Sequence, residues 1–234
     1  MEHQHIDKVG KSHLMMACER GDLAEVQRLL PSAHLTATTR STGQTALHVA
    51  CIQGSVPILR ALLEVVPDVN VRDKAGATVL QYAIVNRRES AIAALLDTAG
   101  VDVDAADASG NSVLHYACNC NNVALVKALL ARPSLDATRY NKSGLSALHV
   151  AAQRGFESCL QVLFAAGVVD ADGRTCLMLV QNAVETARLL VAYPALDVNV
   201  ASKDGATALA HACRGNHEDM IAYLLTIPRV NVHA

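Results

Sequence analysis

Gly43-Gln-Thr-Ala-Leu-His-Val-Ala-Cys-Ile-Gln-Gly54, with Leu62-Leu63 behind it, decides how the chain is read. Gly43 permits the positive φ of a tight turn. Thr45 is placed to cap a helix through its hydroxyl. Leu47, Ala50 and Cys51 fall at i, i+3 and i+4, one apolar helical face, and Gly54 ends that helix. Ile58, Leu59, Leu62 and Leu63 repeat the spacing on a second helix, with Pro57 in its first turn. The pattern recurs. Gly10, Gly43, Gly76, Gly110, Gly144, Gly173 and Gly205 stand two residues before Ser12, Thr45, Thr78, Ser112, Ser146, Thr175 and Thr207. Two residues further on come Leu14, Leu47, Leu80, Leu114, Leu148, Leu177 and Leu209. The glycine-to-glycine steps are 33, 33, 34, 34, 29 and 32 residues. A fixed period of this length means stacked repeats, each burying its apolar face on its neighbours.

Thr45-Ala46-Leu47-His48-Val49-Ala50 and Ser146-Ala147-Leu148-His149-Val150-Ala151 carry a Thr/Ser-x-Leu-His-x-Ala core, and Asp68-Val69-Asn70 and Asp197-Val198-Asn199 a shared ending. On these residues the chain resembles the ankyrin repeat family. The family's proline after Thr is replaced throughout by Ala, Val, Cys or His, which removes only a preorganising advantage at the first helical turn. The resemblance implies an all-α solenoid of seven helix-turn-helix units with short β-turn fingers. It is one domain over 1–234, with units of approximately 7–39, 40–72, 73–106, 107–140, 141–168, 169–200 and 201–234.

Composition agrees and excludes. Apolar residues make up 51% and aromatics 3%, which suits a core of closely stacked helices built from Leu, Ala and Val. A net charge of -2 gives no field to recruit nucleic acid or an anionic membrane. No apolar run approaches the roughly 18 residues of a spanning helix, so no membrane insertion is expected. Met-Glu-His-Gln-His-Ile at the start has no apolar signal core. Seven cysteines, an odd number, argue for reduced thiols in the cytosol or nucleus.

The motifs that tempt a chemical reading fall to the repeat. Gly10-Lys11-Ser12 mimics the tail of a phosphate-binding loop, but the leading glycine would fall at His5. Cys18, Cys51, Cys118 and Cys213 share one position beside the small alanine and read as core. Cys159 replaces a core aliphatic, and Cys176 takes the proline position. His115 and Cys118 share a helical face, but Cys120 points about 200° away from Cys118, and no C-x₂-C pair exists. No metal and no cofactor is expected. His48, His115 and His149 occupy one position, which in the family hydrogen-bonds neighbouring backbone. No nucleophile or paired acid recurs beside them, so the chain is read as a non-enzyme.

Function then belongs to positions the repeat leaves unconstrained. The resemblance places finger tips and exposed ends of first helices on the concave face. Carried over, they are Gln44, Gln53, Lys74, Asn86, Asn111, Asn119, Cys120, Lys142, Leu145, Gln153, Arg154, Arg174 and Arg214. This amide- and cation-rich set tilts toward a partner protein with acidic or polar groups. The expectation is a monomeric adaptor, inhibitor or scaffold. The alternatives are an assembly chaperone resembling the ankyrin protein of proteasome assembly, or the ankyrin part of a larger enzyme or channel.

The first unit reads as a cap, with Glu25 and Arg28 where the fourth has Leu125 and Ala128. The sixth breaks the pattern. Phe164 to Gly173 spans 9 residues against 13 from Leu63 to Gly76, and Gly173 to Leu189 spans 16 against 19 elsewhere. Val180 replaces the small alanine, where extra methyls force stacked helices apart. A weak point in the array, acting as a hinge or a notch for a partner loop, is expected there. Native-state hydrogen exchange checks this: amides of Thr175–Ala192 should exchange through lower-energy openings than those of Thr45–Leu63. Equal protection in the two segments would remove the idea.

Overall fold

The computed structural model describes residues 10–168, 174–180, 184–192, 197–202 and 205–232, the side chains of Arg174, Thr175 and Leu179 excepted. These residues form α1 (His13–Arg20), α2 (Leu23–Leu29), α3 (Ala46–Gln53), α4 (Val56–Leu63), α5 (Val79–Val85), α6 (Glu89–Leu96), α7 (Val113–Asn119), α8 (Val123–Leu130), α9 (Ala147–Gln153), α10 (Glu157–Ala165), α11 (Arg174–Leu179), α12 (Val184–Ala192), α13 (Ala208–Arg214) and α14 (Glu218–Leu225). A 3-10 turn at Leu30–Ser32 follows α2. Among the described residues extended pairing is limited to single antiparallel bridges, Arg72 with Thr78, Ala106 with Ser112 and Tyr140 with Ser146.

The chain forms two compact parts, residues 1–116 and 117–234, and α7 spans the division. Within the first, α1 packs on α3 and α3 on α5, while α2 packs on α4 and α4 on α6. Within the second, α9 packs on α11 and α11 on α13, while α8, α10, α12 and α14 form the parallel series. Leu14, Leu47, Leu80, Leu114, Leu148 and Leu177 are buried. Each such leucine contributes about 1.5–3 kcal/mol relative to exposure. Ala17, Ala50, Ala83, Ala117 and Ala151 are fully buried beside them, small enough for helix backbones to approach.

One hydrogen-bonding device ties repeat to repeat. The Thr45 N–H donates to His48 Nδ1 at 3.2 Å. Nδ1 is therefore the bare nitrogen, the proton sits on Nε2, and Nε2 donates to Ala77 O at 3.3 Å. His115 accepts from the Ser112 N–H at 3.2 Å, and His149 from the Ser146 N–H at 3.1 Å. Gln81, which stands in the histidine position, does the same work. Its Oε1 accepts from the Thr78 N–H at 2.8 Å, and its Nε2 donates to Ala105 O at 3.1 Å and Asn111 O at 3.0 Å.

The shared Asp-Val-Asn ending supplies a second tie. Asp68 accepts from the Asn70 N–H, and the Asn70 amide spans to Gly100 O and the Asp102 N–H, both at 2.8 Å. In the second part Asn199 does likewise with Arg229 O and the Asn231 N–H. The fingers of the first part stack by direct backbone bonds, the Lys74 N–H to Thr42 O and the Ala108 N–H to Ala75 O. That closeness explains the glycines. A Cβ on Gly43 would lie 2.9 Å from the Lys74 nitrogen, and one on Gly76 2.7 Å from the Ala108 nitrogen, both at positive φ.

Two expectations meet qualification. Cys213 is exposed, although it shares its repeat position with buried cysteines. Cys18 is buried in the first described helix pair, so its cover comes from the following pair, and no described pair follows α14. Among the described residues the stretch expected to be the sixth unit holds the six-residue α11 and the nine-residue α12. Its finger, including Gly173, lies outside the described residues, and Val180 is buried at the end of α11.

The tie makes a pH prediction. Burial lowers the His48 pKa from the usual histidine range, against opposing contributions from Ala77 O and Asp73. A depressed histidine means the unfolded chain binds more protons, so this stability is present above about pH 6.5 and is lost as pH falls below it. His48→Gln should keep both bonds, as Gln81 does, and remove that slope. Urea unfolding between pH 7 and pH 5 checks it. Wild type should lose more stability than the variant, by up to about 1.4 kcal/mol per pH unit for one proton. Parallel curves would show that His48 titrates alike in both states.

Candidate partner-binding surface

The fingers are built on acceptors three residues before the glycine. Asp73 Oδ1 accepts from the Ala75 and Ala77 N–H groups at 2.9 and 2.8 Å. Asp107 Oδ1 accepts from Ser109 and Asn111, both at 2.8 Å, and Asn141 Oδ1 from Ser143 and Leu145 at 2.9 and 3.0 Å. Such side-chain caps fix the tip and aim the residues on it.

In the first part the second carboxylate oxygen receives a tyrosine. The Tyr82 hydroxyl donates to Asp73 Oδ2 at 2.8 Å and accepts from Gln44 Nε2 at 2.9 Å. The Tyr116 hydroxyl donates to Asp107 Oδ2 at 2.7 Å, which Asn111 Nδ2 also reaches at 3.2 Å. Asp73 and Tyr82 act electrostatically on Tyr116, so the two clusters adjoin. Burial, then the bonded Asp107, push the Tyr116 hydroxyl well above the usual tyrosine range. Burial raises Asp107, but donation from Tyr116, Asn111 and Ser109 outweighs it and holds the carboxyl below the usual range.

This row changes the sequence-based set. Gln44 and Asn111 are half-buried members of the hydrogen-bonded row. Lys74 is exposed, its ammonium reaching Arg40 O. Gln53 is exposed at the last residue of α3, outside the row. Asp73, Tyr82, Asp107 and Tyr116 were missed. Their signal was an Asp-to-Tyr spacing of nine residues in register with the glycines, echoed by Ser202 and His211, whose side chains approach to 3.3 Å. The surface therefore holds two carboxylates, where the sequence set held none.

In the second part Asn119 is exposed at the end of α7 and Cys120 half-buried beside it. Gln153 and Arg154 are exposed at the equivalent end of α9. Lys142 is exposed and Leu145 half-buried on the finger that precedes α9. Arg174 opens α11, and its side chain lies outside the described residues. Arg214 lines a cavity of about 300 Å³ with His211, His217, Met178 and Met220. Among the described residues no three or more His, Cys, Asp or Glu are grouped to hold a metal ion, and no helix is long and apolar enough to cross a membrane.

The stacked helix pairs, the capped fingers and the buried His or Gln tie agree with comparison to known proteins. A family model described as ankyrin repeats in three copies matches residues 14–107, 92–169 and 148–234. The chain belongs to the ankyrin repeat family. A curated relative of this ankyrin chain is mouse (Mus musculus) protein phosphatase 1 regulatory subunit 12A, 35% identical over 80 residues. That match covers 34% of the ankyrin chain and 8% of the relative. Ankyrin repeats are a protein-interaction module, and catalytic groups are not what the fold itself supplies.

The Tyr–Asp row is open to test by Tyr116→Phe. Loss of the hydroxyl donor should raise the Asp107 pKa, followed by carbon-detected NMR titration of the carboxylate. Stability should fall by about 0.5–1.5 kcal/mol, the usual net worth of one hydrogen bond. An unmoved Asp107 titration would mean that the backbone donors alone set it.

Proposed function

We propose that this ankyrin-repeat chain is a non-catalytic interaction module, an adaptor, inhibitor or scaffold, that holds a partner protein on its concave face. The division of labour among its polar residues supports this reading. His48, Gln81, Asn70, Asp73 and Asp107 serve the fold's internal hydrogen bonds. His48 has both ring nitrogens committed and offers no general base. Gln53, Asn119, Lys142, Gln153 and Arg154 are exposed on fingers and first-helix ends. The mouse relative is by name a regulatory subunit of a phosphatase, and the shared stretch is a small share of its length. That favours recruitment or regulation over chemistry, and it suits a module that works inside a larger assembly.

Within residues 117–234 the reading commits to Leu145 as an apolar anchor amid Lys142, Gln153 and Arg154, a partly buried centre with a polar rim. The test is affinity capture from native lysate in parallel with wild type, Leu145→Ala, Arg154→Ala and Arg60→Ala, followed by quantitative mass spectrometry. The first two should weaken retention of the specific partner by more than about 1 kcal/mol, roughly fivefold, with unfolding midpoints nearly unchanged. Arg60, exposed on α4, should be neutral. Loss of the partner with Arg60→Ala alone would put the binding face on the second helices.

A further inference from the structure

The cavity of about 300 Å³ between α11, α13 and the start of α14 lies where three residues depart from the repeat. Met178 stands in the register of His48 and Gln81, and a thioether cannot donate to the next finger. Val180 stands in the register of the small alanines Ala50 and Ala83, where extra methyls hold neighbouring helices apart. Gly215 stands where Gln53, Asn86 and Arg154 carry side chains. Its φ is -83°, so the backbone does not require glycine there. The space does. A Cβ on Gly215 would lie 2.4 Å from His217 Nε2. The His217 imidazole therefore lies over Gly215, in the room a side chain would fill.

The lining divides by chemistry. Leu177, Val180, Ala208, Ala212 and Met220 are buried and make an apolar floor. Arg214 is exposed and His211 and His217 are half-buried, so the polar groups lie toward solvent. Among the described residues no carboxylate lines this cavity. The Ser202 hydroxyl donates to Ala206 O at 2.9 Å, so its oxygen is the acceptor for His211 Nε2 at 3.3 Å. That bond holds His211 as a wall, and Arg214 and His217 are the donors of the mouth.

We propose that this cavity is a binding site for an aliphatic carboxylate, with the tail on the apolar floor and the carboxylate on Arg214 and His217. A guanidinium suits a planar carboxylate because it offers two parallel N–H donors. An apolar floor gives nothing to a bare anion and favours a short hydrocarbon tail. Ligand cavities run from about 300 to 1,000 Å³, and this one is at the small end, with room for a tail of one branched side chain. Two sources supply that chemistry, a free short-chain acid and the C-terminal residue of a protein chain that ends in Leu, Ile or Val. The site shares no residue with the surface around Leu145, so either can fail alone.

The experiment follows methionine methyl groups by carbon–proton NMR on the full chain labelled at methionine. Met178 and Met220 report on the cavity, and Met15 and Met16 in α1 are the internal control. N-acetyl-leucine and isocaproate should shift Met178 and Met220 with saturation and leave Met15 and Met16 in place. N-acetyl-leucinamide, which lacks the carboxylate, should shift none of them. Arg214→Gln should weaken binding by at least about tenfold, the usual worth of a hydrogen bond to a charged group. Gly215→Ala keeps an ordinary helical φ and should weaken binding several-fold by displacing His217, with an unfolding midpoint near wild type. A tetrapeptide ending in Leu that binds as tightly as N-acetyl-leucine supports a chain terminus as the source, and its exclusion supports a free acid. Equal shifts from N-acetyl-leucinamide or from inorganic phosphate would overturn the proposal. So would unmoved Met178 and Met220 at millimolar N-acetyl-leucine, or unchanged binding in both variants. The wild-type titrations decide the matter even if a variant folds poorly.

Discussion

The middle of the structure depends on one side chain at the third position of α3, α5, α7 and α9, His48, Gln81, His115 and His149. Helix starts leave N–H groups without intrahelical partners, and burying them unpaired costs about 1–3 kcal/mol each. A repeat stack buries these starts by its nature, as Thr45, Thr78, Ser112 and Ser146 show. The side chain at that position must accept from the cap residue and, on its far side, donate to the next finger. Histidine and glutamine both carry an acceptor and a donor at suitable separation. His48 and Gln81 reach the same place in the following finger, Ala77 O and Asn111 O. Intra-repeat capping and inter-repeat stacking are therefore one event, so a helix start is completed only when its neighbour is in place.

That coupling explains what was legible in the sequence. The period, the glycines and the hydroxyl caps are local requirements, and a single residue type meets each of them. The Thr45–His48 relation could be read because the family pattern states it. Gln81 departs from that pattern by type, while the site needs only two polar atoms at a given spacing. Asp73 and Tyr82 were missed because their contact spans a finger and a helix, nine residues apart. Cys213 was misread for a different reason. Its burial depends on the next repeat, so the same residue at the same position is core in α1 and surface in α13.

The same division separates structural polarity from available polarity. In the first part the fingers bond directly to one another, and a Cβ on Gly43 or Gly76 would strike the next finger's backbone. Among the described residues no atom lies within 4 Å of where a Cβ on Gly144 would stand. Its φ is still 74°, so the turn keeps its glycine for conformation alone.

The helix stops show how the fold tolerates strain and what it gains. Arg87, Asn121 and Asn216 hold φ near 54°, where Gly21, Gly54 and Gly155 stand in other repeats. A side chain there costs about 1 kcal/mol or more. The turn is nevertheless imposed by its hydrogen bonds. The Asp22, Arg88, Asn122, Phe156 and His217 N–H groups each bond back to the small alanine's carbonyl, Ala17, Ala83, Ala117, Ala151 and Ala212. This six-residue closure satisfies a helix-end carbonyl whatever residue occupies the left-handed site. The alanine therefore serves twice, as the close-packing residue of its helix and as the acceptor that fixes the stop. Once the backbone is held this way, the side chain at the stop is free to take other work. At Asn121 its amide oxygen accepts a hydrogen bond from the Cys159 thiol. The strained position thereby satisfies a core thiol of the following helix pair.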